Sequence, residues 1–157
     1  MKKILIMAVI CLFTSISADD SVDIWRTYHD NGKVKSERPY VDGKIHGIEK
    51  CYFESGELMC EIPYFRGKEY GIAKWYYESG ELMNEVPWNH GKIHGIAKEY
   101  YKNGELHYER QYVHSERHGI WRWYYENGEL KKESLYVDNK LKGTNNYDEN
   151  GQIIKSN

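Results

Sequence analysis

Tyr76-Tyr77-Glu78-Ser79-Gly80-Glu81-Leu82 is the stretch that decides the fold, because close copies of it recur at a fixed interval. Tyr-Phe-Glu-Ser-Gly-Glu-Leu stands at 52–58, Tyr-Tyr-Lys-Asn-Gly-Glu-Leu at 100–106 and Tyr-Tyr-Glu-Asn-Gly-Glu-Leu at 124–130, and a looser copy lies at 28–34. The turn glycines of these copies are 24 residues apart, at Gly32, Gly56, Gly80, Gly104 and Gly128. Self-similarity at such a period indicates a repeat protein.

Each repeat carries two turn signals, which divide it into two strands. Ser-Gly and Asn-Gly between apolar residues favour two-residue hairpin turns, in which both residues need positive φ. A second turn lies half a repeat away, as at Asp42-Gly43, Arg66-Gly67 and His90-Gly91. Two turns leave two strands of about ten residues in each repeat. We predict an all-β fold: a single elongated, twisted antiparallel meander of stacked β-hairpins, solenoid-like, with about 12 strands.

The register of each hairpin follows from its turn. If Ser55-Gly56 is the turn, residues whose numbers sum to 111 lie opposite each other, which places Lys50 by Glu61. The same rule pairs Lys74 with Glu85, Lys98 with Glu109, and Arg122 with Glu133. Opposite charges on directly opposed residues stabilise a sheet and fix its register. The rule also places the ring of Tyr64 over the strand glycine Gly47.

The first 18 residues have the layout of a secretory signal peptide, with two lysines, an apolar run from Ile4 to Phe13 and a small-residue zone. The apolar run is too short to span a bilayer, which takes roughly 20 residues. We expect cleavage after Ser17 or Ala18 and export to the periplasm, the cell envelope or the extracellular space. Lipid attachment at Cys11 is the alternative, disfavoured by the bulky Ile10 before it.

The repeat domain then covers residues 19–157. Its repeats are predicted at about 25–48, 49–72, 73–96, 97–120 and 121–144, with a partial repeat at 145–157. The chain has 22 basic and 24 acidic residues, so it lacks the clustered basic excess of a nucleic-acid-binding protein. A mean hydropathy of −0.82 argues against a further membrane segment.

Two cysteines remain after removal of the signal peptide. Cys51 and Cys60 also sum to 111 and therefore face each other across one hairpin. Counted outward from a two-residue turn, they fall on a non-hydrogen-bonded rung, where the Cα atoms are about 4.5 Å apart. This separation permits a disulfide, and exported proteins meet an oxidising compartment. We predict a Cys51–Cys60 disulfide, with two packed free thiols as the alternative.

Strand parity assigns the two faces of the sheet. One face collects all five tryptophans and Leu58, Leu82, Leu106 and Leu130, and the other carries the Lys–Glu pairs and a column of isoleucines. The aromatic face is either the core of a self-packed sheet or, in part, an open binding surface, since large apolar patches mark interfaces. The candidate partner-binding residues are Trp75, Tyr77, Trp121, Trp123 and Tyr125.

The sequence offers no catalytic or metal-binding constellation. His46, His94 and His118 occupy one repeat position, but His94 and His118 lie two strands apart, about 9.5 Å by strand spacing. Zinc ligands must converge within about 2 Å of one ion. The repeated glutamates each have a basic partner across the hairpin. We therefore predict a protein that is not an enzyme and that has no metal site and no cofactor.

The repeated Tyr-Tyr-Glu-Asn-Gly-Glu-Leu, followed by Glu and then Tyr-x-x-Gly-Lys-x-x-Gly, resembles the MORN repeat. The form here is similar to the variant in bacterial proteins labelled YwqK-family antitoxins. The resemblance covers about residues 25–157 and implies stacked β-hairpins with a binding or scaffolding role. It also implies protein partners, sometimes membrane lipid, and, if the antitoxin label applies, a toxin. The predicted signal peptide does not fit the antitoxin label, because a protein that neutralises a cytoplasmic toxin should not be exported.

Three functional hypotheses follow. The first is an exported protein-binding and scaffolding module, and the second is an antitoxin or immunity protein that neutralises a specific toxin. The third is a lipid-associated or surface structural protein, although a near-zero net charge disfavours simple attraction to anionic lipid. The sequence leaves open whether exposed strand edges pair two copies of the chain.

Overall fold

The computed structural model describes residues 22–156, which form one open antiparallel sheet without a helix. Its strands are β1 (Asp23–Tyr28), β2 (Val34–Val41), β3 (Lys44–Ile45), β4 (Gly47–Tyr52), β5 (Leu58–Phe65), β6 (Lys68–Glu69), β7 (Gly71–Tyr76), β8 (Leu82–Asn89), β9 (Lys92–Ile93), β10 (Gly95–Tyr100), β11 (Leu106–Val113), β12 (Glu116–Arg117), β13 (Gly119–Tyr124), β14 (Leu130–Val137), β15 (Lys140–Tyr147) and β16 (Ile153–Ser156). The predicted signal peptide, with Cys11, lies outside the described residues.

Twelve of the strands follow one another across the sheet in chain order, from β1 at one edge to β16 at the other. The other four, β3, β6, β9 and β12, are two-residue strands that pair only with the strand before them. The predicted all-β meander of stacked hairpins is therefore confirmed. Within residues 22–156, we find no helix with the length and apolar character needed to cross a membrane.

The Ser-Gly and Asn-Gly turns differ from the prediction of a two-residue turn. In the hairpin of β4 and β5, the Gly56 amide donates to the Phe53 carbonyl and the Phe53 amide donates to the Glu57 carbonyl, both at 2.9 Å. Gly56 has φ 95°, and no other residue of this loop has positive φ. The turn is a three-residue loop that ends in a left-handed glycine. It needs one positive φ where a two-residue turn needs two, so Ser55 is spared that strain.

A β-bulge accompanies each of these loops. Tyr52 pairs with Leu58 and Cys51 with Cys60, so Met59 is an extra residue in β5. Beyond the bulge the register is the predicted one. Between the bulge and the loop, Leu58 is paired with Tyr52, which lies on the face opposite the tryptophans. The leucines of the other repeats are paired in the same way. The prediction that the leucines lie with the tryptophans is therefore wrong.

The second series of turns has the predicted two-residue form. Asp42 and Gly43 have φ 50° and 69°, and the same conformation persists where glycine is replaced, as at Ser115 with φ 71°. These turns also join neighbouring repeats, because the Gly67 amide donates to the Ile45 carbonyl at 2.8 Å. Each repeat is thus hydrogen-bonded to the next beyond the pairing of its long strands.

A kink divides the predicted ten-residue strands. Gly47 has φ 113°, and a Cβ added there would lie 3.1 Å from the Cγ atom of Pro39. Pro39 has no amide proton for the ladder, and its carbonyl accepts from the His46 amide at 2.9 Å. Tyr64 lies opposite Gly47 as predicted, but the proline ring is what occupies the side of the glycine left open by its missing Cβ.

A row of alternating charges crosses one face of the sheet, which we call the charged face. Each member of this charge row is directly paired with the next across neighbouring strands: Arg26, Glu37, Lys50, Glu61, Lys74, Glu85, Lys98, Glu109, Arg122 and Glu133. The four predicted pairs have N–O distances of 3.7, 3.7, 3.8 and 3.9 Å. Tyrosine hydroxyls reinforce the row, as where Tyr76 donates to Glu61 at 3.1 Å.

The most buried side chains lie on the other face, which carries the tryptophans and which we call the aromatic face. One repeat position holds Glu49, Ala73, Ala97 and Trp121, with exposed fractions of 3%, 0%, 8% and 8%. Trp25 occupies this position in the first repeat but is 71% exposed, because β1 is an edge strand. Arg38 donates a hydrogen bond to the buried Glu49 carboxylate, which stabilises its charge.

Candidate binding surface

One row of side chains that crosses the strands on the aromatic face changes its chemistry from repeat to repeat, and we call it the variable row. Its members are directly paired from strand to strand: Ser36, Cys51, Cys60, Trp75, Asn84, Glu99, Tyr108, Trp123, Lys132 and Asn146. In β2 to β14, each of its members is next in the sequence to a member of the charge row, on the side nearer the Ser-Gly and Asn-Gly loops, and points to the opposite face of the sheet. Polar, apolar, acidic and basic side chains follow one another within it.

The cysteines of the variable row are directly opposed, as predicted, but they are free thiols and not a disulfide. The prediction counted rungs from a two-residue turn, and the three-residue loop with its extra Met59 removes the basis for that count. Cys60 is 2% exposed. The pKa of the Cys51 thiol is lowered by its hydrogen bond with Cys60, while that hydrogen bond and burial raise the pKa of the Cys60 thiol.

A polar cluster occupies the middle of the variable row. The Glu99 carboxylate accepts a hydrogen bond from the Tyr108 hydroxyl and lies 3.2 Å from Nδ1 of His107. The His107 ring packs on Tyr101 with centroids 4.3 Å apart. The Arg110 guanidinium lies 3.7 Å from the centroid of the Tyr108 ring, in cation–π geometry. Glu99 therefore already has partners on this face.

Trp121, one of the predicted contact residues, lies in the core. Its ring packs against Tyr136 and Tyr112 with centroids 4.8 and 5.2 Å apart, and its indole donates to the Gln111 carbonyl at 2.9 Å. Trp121 is therefore a buried packing residue of the aromatic face and not an exposed contact residue. Its neighbour Trp123 lies 6.1 Å away between centroids and is half-buried.

Tyr77 and Tyr125 tie successive repeats together. The Tyr77 hydroxyl donates to the Tyr100 carbonyl at 2.8 Å, and the Tyr125 hydroxyl donates to the Tyr147 carbonyl at 3.0 Å. Trp75, like Trp123, is half-buried in the variable row. Four strand steps separate the two tryptophans, about 19 Å at the usual strand spacing. The structure therefore brings together the predicted residues of the last full repeat but holds the earlier pair apart from them.

A groove of about 300 Å³ opens beside Trp123 and is lined by His107, Trp123, Lys131, Lys132 and Asn146. Nζ of Lys132 lies 4.7 Å from the Trp123 ring centroid, and Nζ of Lys131 lies 5.1 Å from that of Tyr125. Consecutive residues of a regular strand point to opposite faces. The bulge in β14 makes Lys131 the extra residue, and this lets both lysines line the same groove.

Sequence reasoning missed four of these groove residues: His107, Lys131, Lys132 and Asn146. A signal was present, because the repeat position of Lys131 and His107 is methionine in the two preceding repeats, at Met83 and Met59. Strict alternation places Lys131 on the charged face, so the groove becomes visible only with the bulge. Among residues 22–156, the structure holds no group of three or more His, Cys, Asp and Glu side chains that could bind a metal ion.

The stacked hairpins define the class of the protein. It is a β-repeat protein in which the charge row is the same in every repeat and the variable row differs. The sequence model of the MORN repeat variant family matches residues 24–42, 45–65, 69–90, 93–114 and 117–138. These segments cover more than half of the chain, which therefore belongs to the MORN repeat variant family. The last four begin 24 residues apart, the period seen in the sequence. No curated protein matched the chain.

Proposed function

We propose that this chain is an exported, non-catalytic binding module that holds another protein on its aromatic face. The observation that carries the proposal is the variable row. The charge row repeats one chemistry across the sheet, as expected of a scaffold, whereas the row beside it presents a different set of groups in each repeat. A non-repeating set of side chains on a regular frame suits recognition of one partner.

Trp75 and Trp123 are the best anchors for such a partner. Both are half-buried, so each is held in place by the sheet and still presents part of its ring. Tryptophan is enriched among the residues that dominate the free energy of protein interfaces. The exposed isoleucines of the charged face, such as Ile96 with 49% exposure, offer apolar area but the same group in every repeat.

The test is affinity capture by the tagged chain, residues 19–157, from crosslinked cells, with mass spectrometry of the captured species. We expect one dominant protein, which is also captured by the charged-face control Ile96→Ala and is lost with Trp123→Ala. Circular dichroism checks that both variants are folded. Capture of no protein, or equal capture by both variants, would contradict the proposal. Cosedimentation with liposomes in that case would favour a lipid-associated role.

Export is the second part of the proposal and rests on the composition of residues 1–18. We expect the protein in the envelope or the culture medium, with its N-terminus at Ala18 or Asp19. Cell fractionation followed by mass determination of the intact protein checks this, and full-length chain in the cytoplasm would contradict it. The resemblance to antitoxin-labelled proteins makes a toxin one candidate partner. The identity of the captured protein distinguishes immunity from scaffolding.

A further inference from the structure

We infer that the groove beside Trp123 binds a carboxylate of an acidic segment of the partner protein, with Lys131 and Lys132 as the cationic groups that receive it. This rests on the proposed function and adds the chemistry of the partner. The groove is formed by Trp123, His107, Asn146 and the two lysines. The inference depends on their charge, their common orientation and the size of the groove.

The charges of the two lysines are not neutralised by the chain itself. On the charged face, Lys50, Lys74 and Lys98 each lie within 4.0 Å of a glutamate oxygen. Within residues 22–156, neither Lys131 nor Lys132 has a carboxylate within that distance. Both ammonium groups lie over aromatic rings instead. A ring offers an ammonium group only its quadrupole, whereas a carboxylate offers a full opposite charge and accepts its N–H hydrogen bonds. A carboxylate therefore satisfies these lysines in a way that the rings do not.

Within residues 22–156, the acidic residues of the neighbouring rows have other partners. Glu99 lies two strands from Trp123 in the variable row. Its carboxylate already accepts a hydrogen bond from Tyr108 and contacts His107. The next acidic residue along β14, Glu133, belongs to the charge row on the other face and lies by Arg122. The groove is therefore a locally cationic part of a chain whose formal net charge is −2.

The size of the groove indicates what it holds. At about 300 Å³ it matches the lower end of small-ligand sites, which is enough for one or two side chains and too little for a folded element. The Trp123 ring supplies an apolar wall for the stem of an entering Glu or for an apolar neighbour in the partner. The Asn146 side chain contributes an amide to the lining.

A protein carboxylate fits this lining better than a phosphate does. Phosphate sites in proteins commonly use the forked guanidinium of arginine or a series of backbone N–H groups. The lining has two lysines, an indole, an imidazole and an amide, and no arginine. We therefore assign the groove to an acidic protein segment, and phosphate and anionic lipid become tests of that assignment.

The experiment follows the indole N–H signals of the five tryptophans by NMR during titration with an N-acetylated tetraglutamate peptide. Trp123→Phe identifies the Trp123 signal. Tetraglutamine is the uncharged control peptide. Lys131→Gln/Lys132→Gln removes the proposed cations, and Lys140→Gln/Lys142→Gln removes equal charge from exposed positions of β15 outside the groove. Sodium phosphate and phosphatidylserine vesicles are titrated in parallel.

We expect tetraglutamate to shift the Trp123 signal and tetraglutamine to leave it in place. The apparent affinity should fall at least about tenfold in the groove variant, because both proposed cations are removed, and change less than about twofold in the β15 variant. An unmoved Trp123 signal overturns the inference, as does an equal response to phosphate or to vesicles. If the unmodified chain still captures its protein in the crosslinking experiment, that failure leaves the proposed function standing.

Discussion

The charge row and the variable row use the same strands and differ in almost every other respect. The charge row repeats Lys or Arg against Glu from β1 to β14, with exposed ion pairs at 3.7–3.9 Å in four successive hairpins. The variable row, on the opposite face, keeps no constant chemistry from repeat to repeat: it runs through thiols, indoles, amides, a carboxylate and an ammonium. Under the proposed function, this division assigns register to the charged face and recognition to the aromatic face.

The difference also concerns where stability resides. Exposed ion pairs contribute about 0.2–1 kcal/mol each, so the charge row sets alignment more than it adds free energy. The side chains with the lowest exposure, such as Ala73 and Cys60, lie on the aromatic face. We therefore expect substitutions of the buried residues of the aromatic face to destabilise the protein strongly and substitutions in the charge row to weaken it slightly.

The largest effect is expected for Trp121→Ala. Trp121 is 8% exposed and packs on Tyr112 and Tyr136, so its removal leaves a cavity and should cost about 3 kcal/mol of unfolding free energy. The matched control is Trp25→Ala, at the same repeat position but 71% exposed, which should cost less than about 1 kcal/mol. Urea denaturation measures both. Equal losses would show that the aromatic face is not the core.

A smaller effect is expected where the kink that begins β7 is altered. Gly71 has φ 113°, and an added Cβ would lie 3.2 Å from Cγ of Pro63. Gly71→Ala therefore combines backbone strain with overpacking and should cost about 2 kcal/mol. Gly80 has φ 99°, and no atom lies within 4 Å of a Cβ added there. Gly80→Ala should therefore cost about 1 kcal/mol of unfolding free energy, from backbone strain alone. Chemical denaturation of the two variants compares them, and a larger loss for Gly80→Ala would exclude the proline contact as the cause.

Charge reversal in the charge row should cost less again. Lys74 is directly paired with Glu61 on one side and Glu85 on the other. Lys74→Glu then opposes like charges across both strand pairs and should cost about 1 kcal/mol, against about 0.3 kcal/mol for Lys74→Gln. Thermal unfolding at low and high salt checks this, because screening at about 1 M salt should remove most of the difference. A loss as large as that of Trp121→Ala would break the division between the faces.

The smallest expected effect is the response of Glu37 to acid. A hydrogen bond from Arg26 holds the pKa of the Glu37 carboxyl below its usual value of 4.5. The lowered pKa means that the contribution to stability is present above pH 4.5 and is lost as the pH falls through the folded-state value. Because the pair is exposed and screened by solvent, we expect this contribution to be the smallest of those considered. Glu37→Gln and Arg26→Gln should each remove this part of the acid sensitivity in pH-dependent denaturation, and an unchanged profile in both would contradict it.

The sequence predicted the repeat, the antiparallel meander and the four Lys–Glu and Arg–Glu pairs, because each follows from a period and a fixed parity. The division of strands at Gly47 was not predicted, although both partners were visible. Gly47 and Pro39 lie eight residues apart on strands that separate at the kink, and their contact is a matter of three-dimensional packing.

The groove was not predicted for a related reason. Parity arguments assume two faces and strict alternation, and a single extra residue reverses the assignment of everything on the turn side of it. The bulge moved Lys131 to the aromatic face beside Lys132 and moved the leucines away from it. A loop of three residues predicts such a bulge, whereas Ser-Gly and Asn-Gly alone are compatible with either loop length.

The charge row has a consequence for how such a chain can change its length. Removing residues 49–72 would join Ile48 to Ala73 and place Lys74 opposite Glu37, where Lys50 now lies. Every charge of the charge row would again meet its opposite, and the joined strand would keep its kink at Gly47. A gene of this kind can therefore lose or duplicate whole 24-residue units without a new folding problem, and each added unit supplies fresh positions for the variable row.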